Sequence, residues 1–255
     1  QFFWAFDWVV SSLQSLISFL TSTGLGSRRY CFDLLVDGSV RINGTVVDQA
    51  SAQVNAGVDE ITVRGRKIAL PKRKIYLKLN KPLGVISTVS DDLGRKTVMD
   101  FVPAQYSKYR LYPVGRLDSE TSGLMIITND GNLANFLTHP KYEIQKEYQV
   151  LVDRVLNEGE ILDLQTGVEI KGYRTSPCKI VRLRKRAEPW YSVIIHEGKK
   201  RELRLMFLTV GCEVKRLRRV RIGRLKIGDL EVGLSEELTS KEIDLLQQKW
   251  TASDR

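Results

Sequence analysis

The sequence is poor in the residues that build metal centres and disulfide frameworks. Its 255 residues include only three cysteines and two histidines, all far apart. Such sparse thiols cannot form a disulfide framework or a thiolate zinc site. Neither a P-loop nor a G-x-G-x-x-G motif occurs. We therefore expect free thiols, no metal and no cofactor, nucleotides included.

Acidic residues are too few to balance the basic ones, at 30 Asp and Glu against 40 Lys and Arg, which leaves a net charge of +10. Three windows hold the excess: residues 64–81 carry +8, residues 171–186 carry +7 and residues 197–226 carry +8. Such bands are typical of a surface that faces phosphates, because each neutralised phosphate releases counterions. Solvated charged faces are the alternative, and we favour a nucleic-acid partner.

Long apolar runs are also scarce, and only residues 1–20 (QFFWAFDWVVSSLQSLISFL) invite a membrane interpretation. Asp7 and several Ser and Gln residues dilute the run, and it lacks the basic start of a signal peptide. Apolar residues recur at helical spacing at positions 13, 16, 17 and 20. We predict an amphipathic helix and no membrane partner, with a membrane tether as an alternative.

The next segment predicts a small αβ unit. A short helix is expected from about Ser27 to Val36, and Asn43-Gly44 is a strong hairpin signal between short strands. Residues 64–74 are basic and behave as a linker. We therefore divide the chain into domains 1–70 and 71–255.

The second domain is predicted to be α+β. Runs such as IYLKLNKP, GLMIITND, EYQVLVD and YSVIIHEG show the apolar alternation of strands bounded by turn residues. Helical patterns cover residues 133–137 and 200–210. This order favours a mainly antiparallel mixed sheet with a few helices, rather than a βαβ nucleotide fold.

One motif has the makings of a catalytic loop. Residues 115–131 read GRLDSETSGLMIITNDG, a polar loop in which Asp118 lies close to Arg116, followed by a nearly all-apolar strand. A carboxylate fixed at the mouth of a buried strand is well placed to act as a nucleophile or general base. Taken alone, Asp118 could equally be a loop residue that caps a turn.

The same motif resembles the signature of the pseudouridine synthases of the RsuA/RluB/RluE/RluF family. Further segments match that family in order: NKPLGVIST at 80–88, KEYQV at 146–150, HEGKKRELRLMF at 196–207 and the late ELTSKEI. The resemblance covers residues 75–246 nearly end to end. It implies that a uridine within RNA is isomerised to pseudouridine, with no cofactor and no metal.

The front unit has a resemblance of its own. GLGSRR, DGSVRINGTVV and VDEITVRG are similar to the alpha-L RNA-binding module that commonly precedes this catalytic domain. The usual basic first helix is replaced by the aromatic residues 1–20. By this resemblance, Ser27, Arg28 and Arg29 are the RNA-facing part of the module.

The family resemblance also assigns the catalytic roles. Asp118 matches the catalytic aspartate, which attacks the ribose anomeric carbon or the base, or removes a ribose proton. Arg204 matches the arginine that pairs with this aspartate and keeps it ionised. Tyr148 matches the active-site tyrosine that stacks on the target uracil once it has left the RNA helix. The alternatives are a solvent-facing Arg204 and a Tyr148 packed in the core.

Other basic residues are expected to bind RNA. Arg116 would contact a phosphate or fill the gap left by the flipped base, with a surface ion pair to Glu120 as the alternative. Charge and motif position add four residues on the RNA backbone: Lys81, Lys199, Lys200 and Arg201. The third motif departs from the family, with Glu202 where Gln is usual and Leu205 where a second Arg is usual.

We therefore predict a monomeric enzyme that acts on a uridine in a hairpin or loop of ribosomal RNA, preferentially that of the large subunit. A non-catalytic RNA-binding assembly factor is the alternative from another class. Family habit predicts the bacterial cytoplasm, or the stroma or matrix of an organelle.

Overall fold

The computed structural model describes residues 13–71, 73–184 and 186–248, which divide into two compact units. The first unit runs to Lys74 and includes Asn129–Gly131, and the second comprises Ile75–Thr128 and the chain from Asn132 onward. This division falls four residues after the boundary predicted at residue 70. Within the described residues, no helix is long and apolar enough to cross a membrane.

The first unit contains two short helices and two small sheets. Its elements are β1 Leu13–Ser15, α1 Leu16–Ser22, α2 Arg28–Val36, β2 Val40–Ile42, β3 Thr45–Val46, β4 Gln53–Asn55, β5 Ile61–Val63 and β6 Arg66–Lys67. Strand β1 pairs with β4, and the other strands form a sheet in the order β3-β2-β5-β6. The side chain of Ser27 accepts a hydrogen bond from the Tyr30 backbone N–H and so caps α2, which begins one residue after the predicted start at about Ser27.

The predicted N-terminal helix is wrong in its first described turn. Leu13 lies in β1 opposite Asn55 and is 59% exposed, because the chain pairs with β4 before it turns into α1. From Leu16 onward the helix is present, and Leu16, Ile17 and Leu20 are buried as expected. Residues 1–12 of the prediction lie outside the described residues.

The predicted hairpin at Asn43-Gly44 is confirmed. Ile42 pairs with Thr45, so the connecting loop has two residues. Asn43 and Gly44 have φ values of 50° and 83°, which is the backbone conformation of a type I′ turn. The residue types that signalled the hairpin are those that tolerate this conformation.

The second unit is built on one nine-stranded sheet. The strands of this unit, which include the two strands of a separate small hairpin, are β7 Tyr76–Lys81, β8 Tyr112–Pro113, β9 Thr121–Thr128, β10 Lys146–Val152, β11 Glu169–Ile170, β12 Tyr173–Arg174, β13 Lys179–Arg182, β14 Trp190–Ile195, β15 Val214–Ile222, β16 Leu225–Lys226 and β17 Ser235–Glu237. The helices are α3 Gly131–Thr138, α4 Glu158–Thr166, α5 Glu202–Thr209 and α6 Ser240–Gln247. Three single turns of 3-10 helix cover Val98–Phe101, Ala104–Tyr106 and Pro140–Tyr142.

The sheet order is β13-β14-β10-β15-β9-β7-β17, with β16 paired to β15 and β8 to β9, while β11 and β12 form the small hairpin. Every pair in the nine-stranded sheet is antiparallel except β15 with β9. The predicted α+β class with a mainly antiparallel mixed sheet is therefore confirmed. Strand β9 is buried on both faces, with Met125 and Ile127 in one core cluster and Leu124 and Ile126 in another.

The two predicted helices of this unit are present as α3 and α5, with ends shifted by one or two residues from the expected bounds. Helix α4 was not predicted, although its start carries a signal. The Asn157 side chain accepts from the Glu160 N–H and the Glu160 carboxylate accepts from the Asn157 N–H, which is a capping box. Because only Leu164 of the helix is buried, its apolar periodicity is weak.

Gly123 permits the one parallel contact of the sheet. It lies opposite Arg219 of β15, and a Cβ atom on Gly123 would overlap the backbone carbonyl of Arg219. Its φ of 109° is also a conformation that residues with a side chain rarely adopt. Only glycine allows β9 and β15 to approach so closely here.

We predict that Gly123→Ala destabilises the protein by more than about 3 kcal/mol, because strained φ and backbone overlap add up. Urea unfolding followed by circular dichroism measures this loss. Gly94→Ala is the matched control, since Gly94 also has a positive φ, of 70°, but open space around it. Equal losses in the two variants would show that the close approach of β9 and β15 is unimportant.

Candidate active site

The loop that carries Asp118 is clamped by the segment that follows β7. Ser87 Oγ donates to Leu117 O at 2.7 Å and accepts from Leu117 N–H at 3.1 Å. Gly84 N–H donates to Ser119 O at 2.8 Å, and Thr121 N–H closes a turn onto Asp118 O at 3.0 Å. The NKPLGVIST and GRLD motifs therefore act as one unit, which fixes the backbone of Asp118.

The other side of the loop is held by helix α5. Arg204 donates from Nη2 to Glu120 O at 3.0 Å and from Nη1 to Val214 O at 2.8 Å. Arg201 Nη1 forms an ion pair with the Glu120 carboxylate at 2.7 Å. One arginine thus ties the loop to the start of β15, and the other braces it from the surface.

The predicted pairing of Arg204 with Asp118 does not occur in this structure. The guanidinium is occupied by the two carbonyl groups and by the Glu120 carboxylate, 3.6 Å from Nε. Asp118 is itself exposed to solvent, so water solvates its carboxylate without a paired cation. Arg204 contacts the loop two residues beyond Asp118 and acts on its position.

A cavity of about 620 Å³ opens in front of this loop. Asp118 lies on its wall together with Tyr148 of β10, whose side chain is only 7% exposed. Tyr148 is therefore packed in the core and also lines the cavity, so the predicted active-site position and the alternative of a core position both apply. The cavity brings the exposed carboxylate and the buried aromatic ring together.

Four of the predicted RNA-binding residues lie at the cavity. Arg116, Lys199, Lys200 and Arg201 line it and are exposed. The predicted alternative of an ion pair between Arg116 and Glu120 is absent, because Glu120 pairs with Arg201 and Arg204. In the first unit, Ser27, Arg28 and Arg29 are exposed at the start of α2.

The prediction that Lys81 contacts the RNA backbone is wrong, because its side chain is fully buried. Lys81 Nζ donates to Thr121 O at 2.8 Å and to Pro82 O at 3.0 Å, which ties the end of β7 to the start of β9. Burial lowers the pKa of Lys81 to about 8, the Asp118 carboxylate opposes this shift, and Arg219 adds to it. Lys81 is a structural cation close to Asp118.

Two further cations at the cavity were not predicted as site residues. Arg219 is 3% exposed and Lys146 faces the same cavity. Burial lowers the pKa of Lys146 to about 8, and repulsion from Arg219 contributes. The burial of Arg219 could have been predicted from the alternation of β15, because Arg219 shares a face of that strand with buried Leu217. The charge windows instead treated Arg219 as a surface residue.

A pair of carboxyl groups also lines the cavity. Glu202 is 3% exposed, and its Oε2 accepts from the Lys199 N–H at 3.0 Å, whereas the buried Oε1 has no partner among the described residues. Burial raises the pKa of Glu202 to about 7, and repulsion from Glu197 adds to this against the effect of the Lys199 N–H. Glu202 therefore takes up its proton at a higher pH than an ordinary glutamate does, at a position where the third motif of the family usually has the uncharged Gln.

We predict that Glu202→Gln stabilises the protein by an amount that grows as the pH rises from about 4.5 to about 7. A carboxyl whose pKa is raised on folding costs stability progressively from pH 4.5 to pH 7, so the variant should match the wild type near pH 4.5 and exceed it by roughly 3 kcal/mol at pH 8. Urea unfolding at both pH values measures this difference. Exposed Glu231→Gln is the control, and a gain for Glu202→Gln that is the same at both pH values would contradict the account.

No three His, Cys, Asp or Glu side chains are grouped as a metal site within the described ranges.

Comparison with known proteins identifies the family to which this site belongs. Residues 75–209 match the model of the RNA pseudouridylate synthase family.

Two curated relatives agree with this match. Ribosomal large subunit pseudouridine synthase B of Bacillus subtilis (strain 168) is 38% identical over 238 residues, which cover 92% of this chain and 96% of that protein. The protein of the same name from Buchnera aphidicola subsp. Schizaphis graminum is 38% identical over 212 residues, 80% of this chain and 81% of its own.

Among solved structures, the crystal structure of a pseudouridylate synthase covers 91% of this chain and 99% of its own, with 28% identity and a TM-score of 0.66. The matched range contains the loop of Asp118, the ring of Tyr148 and helix α5. The chain belongs to the RNA pseudouridylate synthase family, and it is an RNA pseudouridine synthase of the RsuA/RluB type.

Proposed function

We propose that this enzyme converts one uridine of large-subunit ribosomal RNA to pseudouridine, with Asp118 as the catalytic residue. The observation that carries the proposal is the Asp118 carboxylate, which lies exposed on a doubly clamped loop at a cavity that also holds the Tyr148 ring. The substrate class is supported by the relatives, which are called ribosomal large subunit pseudouridine synthases.

The reaction rearranges one nucleotide and needs no external reagent. The bond between uracil N1 and ribose C1′ breaks, and its electron pair leaves with the base. Asp118 assists by attacking C1′ or the base, or by removing a ribose proton. The base then turns and C5 bonds to C1′. Asp118 is regenerated, because its bond to C1′ or to the base breaks or it returns the ribose proton. C5 loses its proton and N1 gains one, so atoms and charge balance.

Tyr148 provides the surface on which the base stacks. A uridine within an RNA helix cannot present its glycosidic bond to Asp118, so the nucleotide must leave the stack, which costs a few kcal/mol. The ring of Tyr148 repays part of this cost by contact with the face of the uracil. Arg116 is exposed at the same cavity, where it contacts a phosphate or fills the space that the base vacates.

The rim of the cavity attracts the RNA backbone. Lys199, Lys200 and Arg201 are exposed next to one another, at the start of helix α5. Phosphates near the target uridine would displace the counterions of this rim and gain affinity that depends on salt. Ser27, Arg28 and Arg29 of the first unit bind RNA as an alpha-L module does, which extends recognition beyond the target nucleotide.

The enzyme acts as a monomer in this proposal, in the bacterial cytoplasm or in the stroma or matrix of an organelle. A purely structural role in ribosome assembly is the competing function, since the same basic residues would serve it. Membership of an enzyme family and the exposed carboxylate at the cavity favour catalysis.

We predict that Asp118→Asn abolishes pseudouridine formation, by at least about 10³-fold, and leaves RNA affinity within about threefold, because the exposed side chain supports chemistry and not the fold. Conversion of a large-subunit rRNA transcript is measured by nuclease digestion and mass spectrometry, and affinity by filter binding. Asp92→Asn, in an exposed loop, is the control. Full activity of Asp118→Asn would overturn the proposed mechanism.

We predict that substitutions of Arg201 and Arg204, which both contact Glu120 in the Asp118 loop, have different effects. Arg204→Met should lower the conversion rate about 10- to 100-fold with little change in RNA affinity, because it frees the loop of Asp118. Arg201→Met should instead weaken RNA binding and reduce the slope of log affinity against log salt by about one. Single-turnover kinetics and salt-dependent filter binding separate these effects, and identical behaviour of the two variants would contradict the assignment.

A further inference from the structure

Arg219 is a buried cation that the fold leaves uncompensated. Its side chain is 3% exposed, and Nε donates to Leu124 O at 2.8 Å. The buried Nη2 has no hydrogen-bond partner among the described residues, and no carboxylate there forms an ion pair with the guanidinium. An unpaired buried charge is costly, so a fold that keeps one needs a further reason for it.

A second buried arginine of the same strand, Arg221, has its charge balanced by a carboxylate. Arg221 is also 3% exposed, and its Nε pairs with the Glu147 carboxylate at 2.8 Å. Lys78 is treated similarly, since it pairs with Glu236 at 2.7 Å and Glu242 at 2.6 Å. Buried cations of this sheet can therefore be paired with carboxylates, and Arg219 is one that, within the described part of the chain, is not.

The sheet places Arg219 beside the expected position of the base. Arg219 lies directly opposite Tyr148 in the antiparallel pair of β10 and β15, so the two side chains share one face of the sheet. On its other side, Arg219 faces Gly123, which has no side chain to cover the guanidinium. Arg219 itself lines the cavity of Asp118 and Tyr148.

The charge around Arg219 favours an anionic occupant. Burial lowers the pKa of Lys81 and of Lys146 to about 8. The Asp118 carboxylate opposes the shift of Lys81 and Glu202 opposes that of Lys146, whereas repulsion from Arg219 adds to both. A flat group that stacks on Tyr148 and carries negative charge fits this corner of the cavity. Uracil meets both conditions only during the reaction, when the electron pair of the N1–C1′ bond leaves with it and the charge spreads to its carbonyl oxygens.

We propose that Arg219 donates from its η nitrogens to a carbonyl oxygen of the departing uracil and stabilises the uracil anion after the N1–C1′ bond has broken. This inference rests on the proposed function, in which the base stacks on Tyr148. A donor aimed at charge that develops only in the transition state raises the rate with little effect on substrate binding. The anion loses its charge again when C5 bonds to C1′ and N1 takes up a proton.

The test varies the stability of the leaving base. Fluorine at C5 withdraws electrons and stabilises the uracil anion, so a 5-fluorouridine substrate depends less on Arg219. Large-subunit rRNA transcripts are made with UTP or with 5-fluoro-UTP, and the rate at which the target nucleoside is consumed is measured under single turnover by nuclease digestion and mass spectrometry. The variants are Arg219→Met, Arg219→Lys, Arg204→Met and Arg216→Met.

With uridine, Arg219→Met should lose about 100-fold in rate and Arg219→Lys about tenfold, at unchanged RNA affinity. With 5-fluorouridine the loss of Arg219→Met should shrink to about tenfold or less. Arg204→Met, which acts through the position of the loop, should lose the same factor on both transcripts. Arg216→Met removes an exposed charge from the same strand and should keep the wild-type rate on both.

The assignment would be overturned if Arg219→Met lost the same factor in rate on both transcripts. It would also be overturned if the rate losses of Arg219→Met and Arg204→Met were both smaller with 5-fluorouridine. If Arg219→Met unfolds, Arg219→Lys carries the same comparison, since it retains a charge but not the forked geometry. A wild-type enzyme that converts no uridine of the rRNA would overturn the proposed function, and the assignment of Arg219 with it.

Discussion

The close approach of β9 to β15 is the constraint on which the active site depends. Gly123 allows the only parallel pairing of the nine-stranded sheet at this point, and the loop of Asp118 enters β9 three residues after the aspartate. Because β15 also pairs with β10, the same contact brings Tyr148 beside Arg219. Three neighbouring strands thereby deliver an acid loop, a cation and an aromatic ring to one cavity.

The cations of this cavity fall into an exposed group and a buried group, and salt screens the two groups to different extents. In the proposed function, the exposed lysines and arginines at the rim attract phosphate, and salt screens this attraction. The buried cations below the rim are screened far less, because water is excluded from them. Asp118 lies at the same cavity and is exposed to solvent.

The sequence predicted the elements and motifs that local rules govern. The hairpin at Asn43-Gly44 and the buried strand β9 follow from turn chemistry and apolar runs. Asp118 and Tyr148 were placed by motif, and the structure brings them to one cavity, although their catalytic roles stay predictions until they are tested.

What local rules could not supply was the direction of long basic side chains. Lys81 is in a basic window of the sequence, but it lies in a central strand and is buried among backbone carbonyls. Arg204 was expected at Asp118, yet two carbonyl groups satisfy it two residues further along the loop. Long-range pairing decides these outcomes, since a lysine or arginine can point several ångströms to either side of its backbone position.

The central claim is that this protein makes one pseudouridine in ribosomal RNA. Its most direct test is to map pseudouridines in the rRNA of cells with and without the gene. The account predicts that one large-subunit position loses its pseudouridine when the gene is deleted and regains it when the wild-type gene is restored. An unchanged map of both ribosomal subunits after deletion would contradict it.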